Sequence, residues 1–258
     1  MTTSPPHPDP ALRLTGLVKR FGDKEAVADL HLTVPTGSFY GLVGPNGAGK
    51  TTTLSMATGL LRPDAGTAEI SGVDVWRDPV RAKAMVGVLS DGVRLFDRLT
   101  GAQLITYTGM MFGLARADLA QRTADLLQLM DLTASAGVPV VDYSAGMTKK
   151  IGLACALVHA PRLLVLDEPF ESVDPVSAAN IEDVLRGYAA SGGTVIVSSH
   201  SMDLVQRMCD HVAIIAAGRV ITAGTVDEVR GDATLQDRFL QLVGGRHLTE
   251  GPAWLRQS

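Results

Sequence analysis

Apolar and polar residues alternate near the N-terminus, over LRLTGLVKRF and AVADLHLTV, the period-two pattern of antiparallel strands with one covered face. Pro35, Thr36 and Gly37 then turn the chain into an unbroken apolar strand, SFYGLVG, and residues 50–58 beyond it suit a helix. From about residue 92 to 143 the period changes: Leu119, Thr123, Leu126, Leu127 and Met130 fall at helical spacing with few β-branched runs. Strand patterns return in LLVLDEP, TVIVSSH and HVAIIAAGRVITAG, the last reading as two strands joined at Ala217 and Gly218. Strands alternating with helices predict an α/β fold with a mostly parallel sheet, ligands gathering at the carboxyl ends of its strands. The antiparallel strands form an N-terminal β subdomain, and a helical subdomain is inserted over about residues 92–160.

The chemistry sits at the ends of those strands. Residues 44–51 read GPNGAGKT, the pattern G-x-x-x-x-G-K-[ST]. In it the backbone N–H groups of Gly44, Pro45, Asn46, Gly47, Ala48, Gly49 and Thr52 (all but the proline) can curl around phosphates, while Lys50 reaches β and γ oxygens and Thr51 can hold Mg²⁺. A strand before and a helix after put this loop at a helix N-terminus, where free N–H groups and a positive dipole end favour an anion. LLVLDEP, residues 163–169, ends an apolar strand in paired acids, and Asp167 is there placed to meet the metal beside Thr51. Glu168 follows directly and is suited to orient or deprotonate water; as a bland alternative it is a solvated carboxylate at a helix start. Together these features predict a P-loop NTPase core that uses ATP and Mg²⁺.

With these motifs in this order, the chain resembles the ATP-binding subunits of ABC transporters, from about Leu12 to Val229. In that family an aromatic near the N-terminus stacks on adenine, which implies that role for Phe21 of KRFG, although an aromatic there is as often core. YSAGM, residues 143–147, corresponds to the family signature LSGGQ, keeping Ser144 and Gly146, and its YSxGM form resembles exporter-type members. Ser144 also precedes a helical face of Ile151, Ala154, Cys155 and Val158, so it is a good N-cap in its own right. ESVDP matches the loop after the paired acids and implies a nucleotide contact for Asp174, while SSH implies a γ-phosphate sensor at His200, a histidine that could otherwise be a satisfied core residue. The resemblance further implies that Ser144 and Gly146 meet ATP bound by a second copy or a related nucleotide-binding subunit, in a head-to-tail pair with two ATP molecules between them.

One position departs from the family pattern. After the strand VGVLS the family has a glutamine that touches Mg²⁺ and the attacking water; here Asp91 stands in its place, as a candidate metal and catalytic contact or else a solvated or capping carboxylate. A negative charge about 5 Å from the γ-phosphate repels it by roughly 3 kcal/mol at an effective dielectric near 20, so steep Mg²⁺ dependence and poor binding of metal-free ATP are expected. Lys149 and Lys150 read as a solvated helix face.

Composition narrows the class. A 258-residue chain that is 46% hydrophobic and 19% charged is globular, and no apolar run approaches the ~18 residues that cross a bilayer. The resemblance therefore implies a separate transmembrane permease, with this subunit peripheral at the cytoplasmic face of the membrane. Residues 93–101, VRLFDRLTG, with Leu95, Phe96 and Leu99, are the candidate surface for it, or equally the internal core of the helical subdomain. A net charge of −4 gives no electrostatic footprint for nucleic acid. MTTSPPHPDP lacks a basic start and apolar stretch, and Cys155 and Cys209 lack metal-like spacing and read as reduced core residues. The expected organisation is a flexible lead over residues 1–11, one nucleotide-binding domain over 12–230, and a tail over 231–258 that includes Trp254. An ATP-hydrolysing exporter subunit is the leading function; a soluble non-transport ATPase of the same type and a weakly hydrolysing dimerisation module are the alternatives.

Overall fold

The computed structural model describes residues 9–92 and 95–244. In chain order its elements are β1 Leu12–Phe21, β2 Lys24–Val34, β3 Phe39–Val43, α1 Lys50–Ala57, β4 Ala65–Ile70, β5 Val73–Asp74, α2 Pro79–Ala84 and β6 Val86–Leu89. The helical subdomain follows as α3 Gly101–Met111, α4 Arg116–Leu129 and α5 Ala145–Leu157. The chain then returns through β7 Leu163–Asp167, α6 Pro175–Ala190, β8 Thr194–Ser199, α7 Met202–Met208, β9 His211–Ala216, β10 Arg219–Thr225, α8 Val226–Arg230 and α9 Leu235–Val243.

Two sheets result. The amphipathic N-terminal strands form an antiparallel sheet ordered β2-β1-β4-β5, and the apolar strands form a second sheet ordered β10-β9-β3-β8-β7-β6. In the second, β9, β3, β8, β7 and β6 run parallel and the edge strand β10 runs antiparallel to β9. This is the mostly parallel α/β architecture that the strand–helix alternation predicts.

The central strands are apolar throughout because both of their faces are covered. In β7, Leu164 and Leu166 point into one core with the helical subdomain and α6, while Leu163 and Val165 point into another with α1 and the antiparallel sheet. Val195 and Val197 of β8 and Val212 and Ile214 of β9 join the first core; Ile196, Ala213 and Ile215 join the second. The period-two split fixes register, since a one-residue slip would exchange the two cores' side chains. The strands' carboxyl ends are thereby aligned, and the turns that carry the phosphate loop, the paired acids and SSH emerge side by side.

The expectation of a loose tail from residue 231 is overturned for the stretch up to Gly244. Thr234 caps α9 by accepting from the Asp237 N–H, and Gly244 ends it in the left-handed conformation. Leu235 is fully buried in the core beside α7 and α8, with Phe239, Leu242 and Val243 packed against it. Positions 235, 239, 242 and 243 share one helical face, which supplies the apolar stripe a docked helix needs. Trp254 and the rest of the C-terminal segment from residue 245 lie outside the described residues, as do residues 1–8.

Candidate functional site

The phosphate loop joins β3 to α1, and its backbone dictates its glycines. Gly49 is the N-cap of α1 with φ 102°, and a Cβ there would lie 2.4 Å from the Ala26 carbonyl oxygen, so no side chain fits. Gly47 also has positive φ, 76°, but faces open space. Gly218, in the β9–β10 turn, donates to the Ala48 carbonyl at 3.0 Å and ties the loop to the sheet. Lys50 opens α1, is 7% exposed, and donates from Nζ to the Gly44 carbonyl at 2.7 Å. Burial pulls its pKa below the ordinary lysine range, and the nearby Glu168 and Asp167 act against that pull.

Above the loop lies a cleft of about 670 Å³. It is lined by Phe21, Asn46, Gly47, Ala48, Gly49, Lys50, Thr51, Thr52, Asp91, Glu168 and His200, joined by Lys24, Ala26 and Glu171. Phe21 closes one side with a half-exposed ring, and the Lys19 ammonium stands 5.8 Å from its centre. Gly44 and Pro45 do not line the cleft; their carbonyls accept from Lys50 Nζ.

The acid end of the cleft is organised by a residue that motif reading passed over. Ser198 of β8 lies opposite Asp167 of β7 in the parallel register. Its Oγ donates to Asp167 Oδ1 and accepts the Glu168 N–H at 2.9 Å. The available signal was a hydroxyl on the strand beside the paired acids, visible only once the strand pairing is known. Asp167 is 3% exposed, and its Oδ2 has no hydrogen-bond partner among the described residues. A buried carboxylate oxygen without a donor is costly unless a cation meets it, so Asp167 suits a metal ion by its chemistry, although it lines a small cavity against α1 and not the cleft itself. No group of three or more His, Cys, Asp or Glu among the described residues could hold a metal alone.

Glu168 adopts φ 46°, in the left-handed region that residues with a side chain seldom occupy. Its Oε2 is 3.1 Å from His200 Nδ1, and its carbonyl accepts from Lys149 Nζ at 3.0 Å. Lys149 Nζ also stands 3.2 Å from Asp91 Oδ1. The solvated-face expectation for Lys149 and Lys150 is thus incorrect: Lys149 turns inward to two oxygens, its side chain 16% exposed, and Lys150 is buried. Periodicity failed here because an ion pair across 58 residues of sequence leaves no trace in the helix pattern.

Ser144, Gly146 and Asp174 do not line this cleft. Ser144 caps α5, accepting from the Met147 N–H, and Asp174 caps α6, accepting from the Val176 and Ser177 N–H groups. Those bonds, with a contribution from the Ser177 hydroxyl, hold the Asp174 carboxyl below its ordinary pKa. A Cβ on Gly146 would lie 2.9 Å from Asp174 Oδ2, so the two helix starts abut at the glycine. Of the surface expected over residues 93–101, Val93 and Arg94 lie outside the described residues, while Leu95 lines a neighbouring groove of about 720 Å³ and Phe96 is exposed. Asp91 and Glu171 border both the groove and the cleft. Cys209 is buried and Cys155 half-buried, both free, and burial pushes the Cys155 thiol up to about 11.

A glycine-rich loop between a parallel strand and a helix, with paired acids at the end of β7, one strand removed in the same sheet, defines a P-loop nucleotide-binding protein. The family model described as ABC transporter matches residues 27–171. The chain is 36% identical over 224 residues to the daunorubicin resistance ATP-binding protein DrrA3 of Streptomyces coeruleorubidus, covering 87% of this chain and 71% of the relative. It is 37% identical over 220 residues to the Nod factor export ATP-binding protein I of Ralstonia nicotianae, covering 85% and 68%. A solved ATP-binding subunit of an ABC transporter superposes with a TM-score of 0.83 at 27% identity, over 90% of this chain and 99% of that one. A dimeric ATP-binding cassette bound to ADP and Pi shares the fold, with a TM-score of 0.77 at 19% identity, over 83% of this chain and 98% of that one. The chain belongs to the ABC transporter family, among its ATP-binding subunits.

Proposed function

We propose that this chain hydrolyses ATP to power a membrane exporter, two nucleotide-binding subunits closing head to tail on two ATP molecules. The observation that carries the reading is the convergence of Lys50, Thr51, Glu168 and His200 on one cleft above the phosphate loop. Its export direction rests on relatives named for drug resistance and Nod factor export.

Phosphoryl transfer to water is catalysed by positioning and by neutralising the spreading charge on the γ-phosphoryl oxygens. The loop N–H groups and the Lys50 ammonium take the phosphates, and Phe21 offers a face for adenine. Thr51 and Asp167 Oδ2 would hold Mg²⁺, which when bound adds positive charge at the β and γ oxygens. Glu168 orients the attacking water and takes its proton at Oε2 or Oε1. His200, on the Glu168 carboxylate at 3.1 Å, reaches the γ-phosphate from the next strand. Ser144, Gly146 and Asp174, standing away from the chain's own cleft, serve ATP held by the partner copy.

No helix among the described residues is long and apolar enough to cross a membrane; relatives named as ATP-binding proteins of resistance and export systems support a permease on a separate chain. We assign its docking site to the groove between the parallel sheet and the helical subdomain, lined by Leu60, Val88, Leu95 and Phe112. The subunit is then peripheral, at the cytoplasmic face. The test is steady-state hydrolysis by the wild type and Glu168→Gln, with and without permease-bearing membranes. Glu168→Gln should lose roughly 10² to 10⁴ in turnover, bind ATP as before and accumulate as a dimer with Mg²⁺-ATP. Normal turnover in this variant would remove Glu168 from the base role, and ATP-independent oligomeric state would remove the pairing.

A further inference from the structure

Glu168 needs outside help to hold its shape. Its left-handed backbone, φ 46°, persists only where surrounding contacts over-determine it. The contact on its N–H side is Ser198 Oγ at 2.9 Å, and its carbonyl accepts both from the ammonium of Lys149 at 3.0 Å and from the Glu171 N–H of the following turn at 3.2 Å. Lys149 belongs to α5, the helix that Ser144 caps, so the peptide of a residue at the end of β7 is pinned by the helical subdomain.

The same ammonium stands 3.2 Å from Asp91 Oδ1, just past β6. A lysine ordinarily carries its head into water, yet this side chain is only 16% exposed. Two of its three donors are thus committed to oxygens of two different segments. Asp91 and Lys149 together form a neutral unit at the cleft where the family resemblance calls for a neutral amide. The repulsion expected between an isolated Asp91 carboxylate and a polyphosphate is compensated before nucleotide arrives.

We propose that Lys149 is a positioning residue for hydrolysis, acting by two bonds of one ammonium: it fixes the Glu168 peptide and carries the countercharge of Asp91. The inference deepens the proposed ATPase function and rests on Glu168 being the group that activates water. Deleting the ammonium removes the side-chain bond to the carbonyl, leaving it only the Glu171 N–H of its own turn, and leaves a carboxylate facing the phosphates. Deleting only the Asp91 charge leaves an unopposed cation there.

The experiment uses the full-length chain and two readouts: steady-state kcat and KM, and binding of a fluorescent ATP analogue in EDTA. Wild-type hydrolysis abolished by Glu168→Gln establishes the underlying function; if that fails, the proposed ATPase function fails, separately from the role of Lys149. Lys149→Gln should lower kcat by on the order of tenfold or more with a smaller change in KM, as misplacing a catalytic group does. It should also weaken metal-free binding several-fold, and adding Asp91→Asn should restore binding but not kcat, because the side-chain bond to the carbonyl stays lost. Asp91→Asn alone should tighten metal-free binding several-fold, a result that does not depend on Lys149 variants folding. Lys149→Arg, which keeps the charge, should bind metal-free nucleotide like the wild type. Wild-type kcat in Lys149→Gln, metal-free affinity unchanged in Asp91→Asn, or a binding defect in Lys149→Gln that Asp91→Asn leaves in place would each overturn the proposal.

Discussion

The imidazole Nδ1 of His200 stands 3.1 Å from Oε2 of Glu168, linking residues that leave the carboxyl ends of two paired parallel strands. Glu168 is mostly shielded, its side chain 14% exposed, whereas His200 is 60% exposed and reaches into the cleft. Groups that act as a unit are strongly non-additive when removed. His200→Ala should cut turnover by roughly 10² or more, and the double variant with Glu168→Gln should fall no further than the worse single variant. Single-turnover hydrolysis of the three variants reads this directly. Losses that multiply would mean that the two side chains contribute independently.

The glycines of the phosphate loop predict unequal costs. At Gly49 an alanine methyl would collide with the Ala26 carbonyl at 2.4 Å, in a backbone already at φ 102°. At Gly47 the φ of 76° is strained for alanine, but nothing lies within 4 Å. Gly47→Ala should therefore cost about 1 to 2 kcal/mol, and Gly49→Ala distinctly more, with the β2 strand pushed away from the loop. Thermal unfolding of the apo chain separates them. Equal stability in the two variants would show that the Ala26 contact yields freely.

How much of this was legible in sequence follows from what each signal is made of. The phosphate loop is local chemistry on adjacent residues, and the apolar runs of β3, β7 and β8 follow from burial on both faces, so loop, strands and helical insertion could be read before any coordinates. Ser198 and Lys149 could not, because each acts through a strand register or a cross-domain approach that no single window contains. The α9 helix was readable in principle: Leu235, Phe239, Leu242 and Val243 share a face between Thr234 and Gly244. Its short length, in a segment otherwise rich in Gly and polar residues, hid the period.

That helix gives a stability prediction. Leu235 is fully buried, and its N–H donates to Gln206 Oε1 at 2.8 Å, anchoring the start of α9 to α7. Removing a buried leucine side chain costs about 2 to 5 kcal/mol. Leu235→Ala should therefore lower Tm by several degrees, at roughly 2 to 4 °C for each kcal/mol in a domain of this size. A substitution in a loose tail stays within about 0.5 kcal/mol. An unchanged Tm would return residues 231–244 to the status of a tail.

A histidine outside the cleft gives a prediction for the onset of acid destabilisation. His159 stacks on Phe112 with ring centres 3.7 Å apart and planes 2° from parallel, and its Nε2 stands 3.1 Å from the Val86 carbonyl. That contact makes Nε2 the donor and leaves Nδ1 as an acceptor, buried without a partner among the described residues. Burial lowers its pKa below the ordinary 6.5; the Val86 carbonyl opposes the shift and the Arg122 guanidinium adds to it. The folded state thus binds its proton less readily than the unfolded chain does. The linkage follows: its contribution is complete above pH 6.5 and is lost as pH falls from there towards the depressed folded value. Asp174 and Glu228, both held below their ordinary values of 3.8 and 4.5, keep their contributions through that window and lose them only at more acid pH. Wild-type Tm should accordingly drop between pH 7.5 and 5.5, and His159→Phe, which keeps a ring against Phe112 but cannot titrate, should flatten the drop whatever its effect on Tm at pH 7.5. Parallel pH profiles in the two proteins would show that the acid sensitivity arises elsewhere.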